Sequence, residues 1–295
     1  MSETEREERD TEAEWEDELI PAAEQTAART LKVDFRKPIW RKFLSAVRDY
    51  GLIAPGDRVA CCMSGGKDSL LLVVCLRELA RFSNVPFTVE YLSMDPGYTP
   101  ENRRILEENA ARLGFRPRIF ETEIFKAVEG TDRAPCHVCA AMRRGYLYKE
   151  AQKLGCNKIA LGHHMDDAVE TVLISLLYGG EYKSMMPRVR SEHWEGMSLI
   201  RPLYLVREKD IIDWKERCGL ETLRCACRVT ADENGGARAR VKRLIRELEA
   251  ENPAVFGNIF HSLEHVDLSY VLGYRLPGEK AVISPAEGWR ETNGE

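Results

Sequence analysis

The sequence lacks any hydrophobic run long enough to cross a membrane, which takes about 18 to 20 consecutive apolar residues. It also lacks an apolar segment near its acidic N-terminus, so we expect no secretory signal, no membrane partner and a cytoplasmic protein. Apolar residues make up 44% of the 295 residues and charged residues 31%, which excludes fibrous, collagenous and wholly disordered proteins. In a cytoplasmic protein the nine cysteines do not indicate a disulfide framework and need another explanation.

The net charge is also small, at −5, but it is unevenly distributed. Residues 1–18 contain ten acidic and two basic residues, whereas the rest of the chain contains 41 basic and 38 acidic residues. We interpret residues 1–30 as an acidic tail that is solvated and disordered, or as a loose helix. The weakly basic remainder is compatible with a nucleic-acid partner without requiring one.

Strand-like and helix-like patterns alternate between residues 58 and 178, and the chain has no internal repeat. This alternation predicts an α/β fold with a doubly wound parallel sheet, with ligands at the carboxyl ends of its strands. The predicted strands cover residues 58–63, 87–92, 117–121 and 158–161, and the predicted helices cover 37–50, 70–81, 101–113, 140–154, 166–178, 207–219, 237–250 and 254–272. We expect four parts, namely the tail (1–30), an N-terminal helical segment (31–56), the α/β domain (57–224) and a C-terminal helical segment with cysteines and basic residues (225–295).

The segment SGGKDS, residues 64–69, joins the first predicted strand to a helix. Gly65 and Gly66 let backbone N–H groups approach an anion, and the helix N-terminus adds a partial positive charge. Two serine hydroxyls and the charge of Lys67 complete a predicted polyphosphate site, although an ordinary strand-to-helix turn is the alternative. The segment lacks the glycine spacing of a Walker A loop and has Asp68 where that loop has Ser or Thr, and it lacks the GxGxxG of dinucleotide sites.

A strand, SGGKDS and a helix in this order resemble the signature of the PP-loop ATP pyrophosphatases, which cleave ATP between its α- and β-phosphates and adenylate their substrate. Two further segments support the resemblance, LGHHMDDAVET (161–171) and SMDPGY (93–98). The acids of the first also fit an ordinary role as helix caps, with Asp166 or Asp167 capping a helix from Ala168. A carboxylate at this position is also suited to hold Mg²⁺.

The resemblance implies an adenine nucleotide alpha-hydrolase-like fold that uses ATP and Mg²⁺. It implies catalytic roles for Lys67, Asp68 and Asp167, with Lys67 stabilising the charge that develops as pyrophosphate leaves. The residues that it implies for nucleotide binding are Ser64, Gly65, Gly66, Lys67, Asp68, Ser69, Asp95, Gly162 and His163.

Four of the nine cysteines lie in short motifs. Cys136 and Cys139 form PCHVC before a predicted helix, and Cys225 and Cys227 form RCACR. The residues alone are compatible with a redox pair, with part of a zinc site or with part of an iron–sulfur site, although CAC is not the second CxxC knuckle that zinc ribbons usually have. We interpret the other five as buried or turn residues, namely Cys61, Cys62, Cys75, Cys156 and Cys218.

The order SGGKDS, DPGY, PCHVC, RRG, LGHHMDD, RPL and a late cysteine resembles the tRNA 2-thiocytidine synthetases over roughly residues 37–270. In that family the two CxxC cysteines and one later cysteine bind a [4Fe–4S] cluster, whose fourth iron is free to hold sulfur. The resemblance therefore implies that Cys136, Cys139 and one of Cys225 and Cys227 bind such a cluster. RCACR departs from the family pattern, so the choice between its two cysteines stays open.

The function implied by this resemblance is ATP-dependent thiolation of a tRNA base, and the family's substrate implies C2 of a cytidine as the position. The implied sulfur donor is a persulfide or sulfide. Two alternatives stay open, a zinc-stabilised ligase or amidotransferase and a non-catalytic ATP or iron–sulfur sensor. The chain lacks RRM, KH and dsRBD signatures, so we expect RNA to be recognised by shape and charge, and a homodimer is compatible with the sequence. Basic residues suited to a phosphate backbone, or to a solvated helix face, are Arg224, Arg228, Arg238, Arg240, Lys242 and Arg243.

Overall fold

The computed structural model describes residues 22–122, 124, 135–223 and 236–276, with the backbone alone for residues 22–25 and 135–141. The helices are α1 (Ala22–Lys32), α2 (Arg41–Asp49), α3 (Lys67–Phe82), α4 (Pro100–Arg112), α5 (Pro135–Lys153), α6 (Met165–Gly179), α7 (Glu208–Arg217), α8 (Ala237–Glu251) and α9 (Val255–His261). The strands are β1 (Arg58–Met63), β2 (Thr88–Asp95), β3 (Arg118–Glu121), β4 (Lys158–Ala160), β5 (Arg188–Arg190) and β6 (Ser198–Ile200).

The six strands form one sheet in the order β3-β2-β1-β4-β6-β5. All neighbouring pairs are parallel except β5 with β6, which is antiparallel. The order runs outward from β1 to β3 on one side and from β4 to β6 on the other, which confirms the predicted doubly wound arrangement. No helix in the described ranges is both long and apolar enough to cross a membrane.

Strand β1 lies at the centre of the sheet and supplies both of its faces with core residues. Val59, Cys61 and Met63 pack on one face against α3, whereas Ala60 and Cys62 pack on the other face with residues of α5. This alternation follows from the period of two along a strand. Helix α3 is buried on nearly every side from residue 69 to residue 78, because α1 and α7 pack over it.

Three parts of the backbone differ from the sequence-based prediction. Helix α1 begins inside the predicted disordered tail, because Ala27 and Leu31 are buried in the core. The final predicted helix ends early, at His261, and Asp267 then accepts the N–H of Ser269 (3.0 Å) and begins a separate 3₁₀ turn. The hairpin of β5 and β6 was missed because strands of three residues are too short to show a period. The other domain boundaries stay predictions.

A buried ion pair joins the amino ends of β1 and β4. Lys158 Nζ lies 2.5 Å from Asp57 Oδ2 and donates to the carbonyl of Leu52 (2.7 Å), and both charged residues are buried. Asp57 also accepts the N–H of Ala54 (2.6 Å) and the amide of Asn157 (2.8 Å). Burial opposes ionisation, but Lys158 and these two donors outweigh it and hold the pKa of Asp57 below its ordinary value.

We predict that Asp57→Asn lowers the free energy of unfolding by about 3 kcal/mol at pH 7, because it leaves Lys158 buried without a counter-charge. Because folding lowers the pKa of Asp57, its contribution is fully present above the ordinary Asp pKa of about 4 and is lost as the pH falls through the folded value. Urea unfolding from pH 7 to pH 3 measures both effects.

The matched control is Glu108→Gln, which breaks the exposed pair with Arg104 (2.7 Å) and is expected to cost less than about 0.5 kcal/mol. Equal losses in Asp57→Asn and Glu108→Gln at pH 7 would contradict the stabilising role of the buried pair.

Candidate active site

Two of the predicted motifs lie side by side because they follow neighbouring strands. Residues 64–69 follow β1, and residues 161–164 connect β4 to α6. Strands β1 and β4 are paired in parallel. The chain continues from β1 to β2 on one side of this pair, and from β4 to β5 and β6 on the other side. Such a reversal of strand order opens a crevice at the carboxyl edge, where α/β proteins bind ligands.

The loop of residues 64–69, which we call the phosphate loop, is a tight turn. Gly65 has a φ of +74°, in the left-handed region that glycine adopts without strain. Ser69 Oγ donates to the carbonyl of Gly66 (2.8 Å) and accepts the N–H of Ser64 (3.2 Å), which closes the turn. Gly66 is the N-cap of α3 and provides no side-chain cap, so the first N–H groups of this long helix face the crevice uncapped.

Leu223 packs against the phosphate loop at Gly65. Its N–H donates to the carbonyl of Gly65 (3.1 Å), and a Cβ placed on Gly65 would lie 2.4 Å from Leu223 Cδ1. The preceding residues are tied to α4, where Asn109 donates to the carbonyl of Glu221 (2.7 Å) and Arg112 to that of Gly219 (2.7 Å). Leu223 therefore lies directly against the phosphate loop.

Lys67 lies between two carboxylates at the start of α3. Its Nζ is 3.2 Å from Asp68 Oδ2 and 3.1 Å from Glu208 Oε1. Burial disfavours the charged ammonium, but Asp68 and Glu208 outweigh burial and raise the pKa of Lys67. Burial likewise opposes the charge of Glu208, but Lys242 and Lys67 together lower its pKa to about 2. These groups are therefore ionised at neutral pH.

Asp68 has one oxygen that is poorly satisfied. Its Oδ2 faces Lys67, whereas Oδ1 is buried with no hydrogen-bond partner among the described residues and has His164 Nε2 at 3.6 Å. Burial raises the pKa of Asp68, although His164 and Lys67 oppose this effect. A buried carboxylate oxygen of this kind is suited to a cation that enters with a ligand.

The loop after β4 begins α6 with a reciprocal cap. His164 is the N-cap and not Asp166 or Asp167, which corrects the prediction. The N–H of His164 donates to Asp167 Oδ2 (3.0 Å), and His164 Nδ1 accepts the N–H of Asp167 (3.4 Å). Asp166 instead accepts from Arg207 (3.2 Å) and from the N–H of Glu208 (2.7 Å), so it joins α6 to the start of α7.

Gly162 and His163 lie on the wall between the two motifs. A Cβ on Gly162 would lie 3.0 Å from the backbone carbonyl of Asp68, so glycine allows the two loops to touch. Burial, with a smaller contribution from neighbouring cations including Arg201, outweighs Asp167 and lowers the pKa of His163 to about 4. The imidazole is therefore neutral at pH 7, and its Nδ1 accepts from Arg201 (3.4 Å).

Asp95 follows β2 and organises the turn of the DPGY segment. Its Oδ1 accepts the N–H groups of Gly97 (2.9 Å) and Tyr98 (2.6 Å), and its Oδ2 pairs with Arg103 (2.9 Å). Burial opposes its charge, but these partners outweigh burial and lower the pKa of Asp95. The ordered turn places the Tyr98 hydroxyl 3.3 Å from the carbonyl of Ser64, at the phosphate loop.

Five cysteines are free and buried, which confirms their interpretation as core residues, namely Cys61, Cys62, Cys75, Cys156 and Cys218. Burial raises the pKa of each thiol, to about 12 for Cys62 and about 11 for Cys156 and Cys218. Such thiols stay protonated at neutral pH and are poor metal ligands.

The assignment of Cys136, Cys139 and one of Cys225 and Cys227 to a cluster stays a prediction. Cys136 and Cys139 lie in the first turns of α5, which begins at Pro135 and not near residue 140 as predicted. Cys225 and Cys227 lie outside the described residues. Among the described residues, no group of three or more His, Cys, Asp or Glu side chains is arranged to hold a metal ion.

Glu208 is a site residue that the sequence did not predict, and Arg238 and Lys242 were predicted only as basic residues suited to a phosphate backbone or a solvated helix face. Arg238 lies 3.6 Å from Asp167 Oδ1, and Lys242 pairs with the Glu208 carboxylate. In the sequence Glu208 is an ordinary first-turn acid of a helix, and the two basic residues are part of a charged helix. No local pattern marks them, because only the packing of α8 against α6 and α7 brings them to the site.

Comparison with known proteins agrees with this geometry. The PP-loop domain family matches residues 36–224. A tRNA-cytidine(32) 2-sulfurtransferase of Anaeromyxobacter dehalogenans is 36% identical over 264 residues, which is 88% of this chain and 89% of the relative. Another, from Geobacter sulfurreducens, is 39% identical over 236 residues, 78% of this chain and 90% of the relative. The solved structure of the U34-tRNA thiolase NcsA from Methanococcus maripaludis with its [4Fe-4S] cluster has a TM-score of 0.66 at 21% identity and covers 85% of this chain and 86% of its own, which shows a shared fold.

We predict that Gly65→Ala weakens ATP binding at least tenfold, or about 1.4 kcal/mol, because a Cβ would collide with Leu223 and displace the phosphate loop. The control is Gly155→Ala. Gly155 has a similar φ of +70° but has no atom within 4 Å of an added Cβ.

Both variants are expected to lose about 1 kcal/mol of stability from left-handed strain, and only Gly65→Ala should lose affinity in calorimetric titration. Adding Leu223→Ala to Gly65→Ala should restore part of that affinity. Equal ATP affinities in the two single variants would show that the contact with Leu223 is irrelevant to the site.

Proposed function

The chain belongs to the PP-loop family and, within it, to the tRNA-cytidine(32) 2-sulfurtransferases, and we propose that it uses ATP and a [4Fe–4S] cluster to replace the C2 oxygen of a tRNA cytidine with sulfur. The observation that carries the proposal is the meeting of the phosphate loop with the His164–Asp167 cap at one crevice of the sheet. Lys67, the uncapped start of α3 and the unpartnered Asp68 oxygen all converge there.

The chemistry begins with activation of a poor leaving group. The C2 oxygen of the cytidine attacks the α-phosphorus of ATP, the bond to the β-phosphate breaks, and pyrophosphate leaves. A sulfur nucleophile then adds at C2, and AMP leaves with the original oxygen. With sulfide as the donor, the exchange consumes one ATP and one sulfide and no oxidation state changes. With a persulfide donor, its terminal sulfur first forms a disulfide at C2. A thiol must then supply two electrons to cleave the bond between the two sulfurs, so that one sulfur stays on C2.

In this proposal the phosphate loop cradles the β- and γ-phosphates with backbone N–H groups and the two serine hydroxyls. Lys67 neutralises charge that develops as pyrophosphate departs. Asp68 and Asp167 hold Mg²⁺ together with the phosphates. Their number fits this ion, since Mg²⁺ is usually held by one or two carboxylates plus phosphate oxygens and not by a protein cage.

The remaining walls of the crevice are assigned to the nucleoside and to the base. Gly162 keeps the wall thin enough for close approach, and neutral His163 can exchange a hydrogen bond without adding charge. We assign the adenosine end of ATP to the turn organised by Asp95. In this role Asp95 acts through the backbone of the turn, because its own oxygens are engaged by Gly97, Tyr98 and Arg103.

The donor set also fits a cluster with three protein ligands. Ligation requires thiolates, and the five buried thiols are held protonated by burial, which leaves Cys136, Cys139, Cys225 and Cys227 as donors. We assign Cys136, Cys139 and one of the other two to the cluster. When bound, such a cluster supplies an open iron that can carry sulfur.

The substrate also suggests where the enzyme works and what it meets. A tRNA-modifying enzyme acts in the cytoplasm, and we place this one there. Its other partner is a sulfur donor, and a homodimer fits the proposal without being needed for it.

We predict that Lys67→Ala lowers ATP-dependent thiolation of tRNA at least about 100-fold, because it removes the cation at the leaving phosphates. The measurement follows pyrophosphate release and 2-thiocytidine in tRNA with anaerobically purified enzyme. The control is Lys153→Ala, an exposed lysine paired with Glu150 on α5, which should leave both unchanged.

The iron content of Lys67→Ala should equal that of the wild type. Pyrophosphate release from wild-type enzyme without any thiolated tRNA would remove sulfur transfer from the proposal, and loss of iron in Lys67→Ala would contradict separate nucleotide and cluster sites.

We predict that Cys136→Ala and Cys139→Ala each lose iron and thiolation but still bind ATP. Of Cys225→Ala and Cys227→Ala, one should lose both and the other should keep most of its iron. Cys75→Ala is the control, since that thiol is buried within α3 and should not affect iron. Iron analysis and visible spectra of anaerobic samples measure the outcome. An equal need for all four motif cysteines would indicate a closed Cys₄ centre, and zinc in place of iron would favour the ligase alternative.

A further inference from the structure

Helix α8 has one face in the core and an adjacent edge at the phosphate loop. Val241 and Ile245 are buried against residues of α6 such as Val169. Arg238 and Lys242 lie four residues apart and so point the same way, next to the apolar face. Arg246 is one further turn along and is exposed. The helix thus presents two cations, one above the other, along the edge of the crevice.

Lys242 shares a carboxylate with the lysine of the phosphate loop. Glu208 Oε1 lies 3.1 Å from Lys67 Nζ, and Glu208 Oε2 pairs with Lys242 Nζ. One negative charge therefore joins two ammonium groups. Each ammonium has three N–H donors, so both lysines can keep Glu208 and still donate to another anion.

Arg238 covers the other side of the crevice. Its Nη1 is 3.6 Å from Asp167 Oδ1, and its Nε is 3.4 Å from Glu170 Oε2. Glu170 is buried, and burial raises its pKa in spite of Arg238, which weakens it as a competitor for the guanidinium. The side chain of Arg238 is 57% exposed, so the guanidinium is accessible from the crevice.

Arg207 shows what a purely structural cation looks like in the same region. It pairs with Asp166 (3.2 Å) and Glu249 (3.1 Å), and its guanidinium carbon lies 3.3 Å from the centroid of the Phe256 ring. These contacts fix the second half of α8 to α6, α7 and α9. The first half of the helix is thereby held over the phosphate loop before any ligand enters.

We propose that Arg238 and Lys242 bind the β- and γ-phosphates of ATP and the departing pyrophosphate, so that α8 forms the wall of the phosphate site opposite the phosphate loop. The inference rests on the ATP site proposed above and adds two residues to it. The chemical reason is charge, since Lys67 is the cation that the loop itself supplies, whereas pyrophosphate carries three to four negative charges. Arg238 also faces Asp167, the carboxylate assigned to Mg²⁺.

The test is calorimetric titration of the holoenzyme in the presence of Mg²⁺. Pyrophosphate, ATP and AMP are titrated in separate experiments. Lys242→Met and Arg238→Met should each weaken pyrophosphate binding roughly tenfold, equal to about 1.4 kcal/mol. AMP lacks the β- and γ-phosphates, so its affinity should not change. Arg246→Met is the matched control, because it removes an exposed arginine from the same helix and should change neither affinity.

Lys242→Arg tests for a merely structural effect, since it keeps the positive charge. Its pyrophosphate affinity should stay within about threefold of the wild type, a much smaller change than the loss of a charge-assisted hydrogen bond would cause. Unchanged pyrophosphate affinity in both Met variants would overturn the inference while leaving the ATP site intact. An equal loss of affinity for AMP and for pyrophosphate would also overturn it, because it would indicate that the substitution disturbs the fold and not a phosphate contact.

Loss of tRNA affinity with normal pyrophosphate affinity would assign this edge of α8 to the RNA backbone and would overturn the inference. Failure of the wild type to bind ATP would remove the proposed function itself.

Discussion

The pairing of β1 with β4 is the constraint on which the rest of the site depends. These strands are neighbours in the sheet although the chain makes two other strands between them, so the loops that follow them meet at one edge. The meeting is close enough that Gly162 touches the backbone of Asp68. At the opposite edge, the buried pair of Asp57 and Lys158 ties the same two strands together. One strand pair thus carries the stabilising ion pair at its amino ends and the candidate chemistry at its carboxyl ends.

Charge in the crevice is arranged in alternation. Glu208 lies between Lys67 and Lys242, and Asp167 lies next to Arg238. In the absence of ligand, each of these three cations is therefore held in place by a carboxylate. Preorganised charges of this kind need little rearrangement when a phosphate enters, which favours electrostatic stabilisation of the charge that develops during a reaction.

The chain on either side of residues 224–235 returns to this same crevice. Before them, Leu223 binds the backbone of Gly65, and after them, Arg238 pairs with Asp167. The two ends of the segment that contains Cys225 and Cys227 are therefore anchored at the phosphate loop and at the cap of α6.

The sequence by itself determined the doubly wound sheet, the phosphate loop and the core role of five cysteines, because each depends on local chemistry. A strand shows as a short apolar run, a phosphate loop as glycines with a lysine before a helix, and a core cysteine by its apolar neighbours. Only the tertiary structure decided that His164 caps α6, that α1 belongs to the core, and that Glu208 joins Lys67 to Lys242. The cap is local, but histidine is not among the usual N-cap residues, so the sequence favours the acids. The other contacts join residues far apart in the chain. Neither end of such a contact carries a local signal, since an acid at a helix start and a lysine on a helix look the same whether they meet a partner or water.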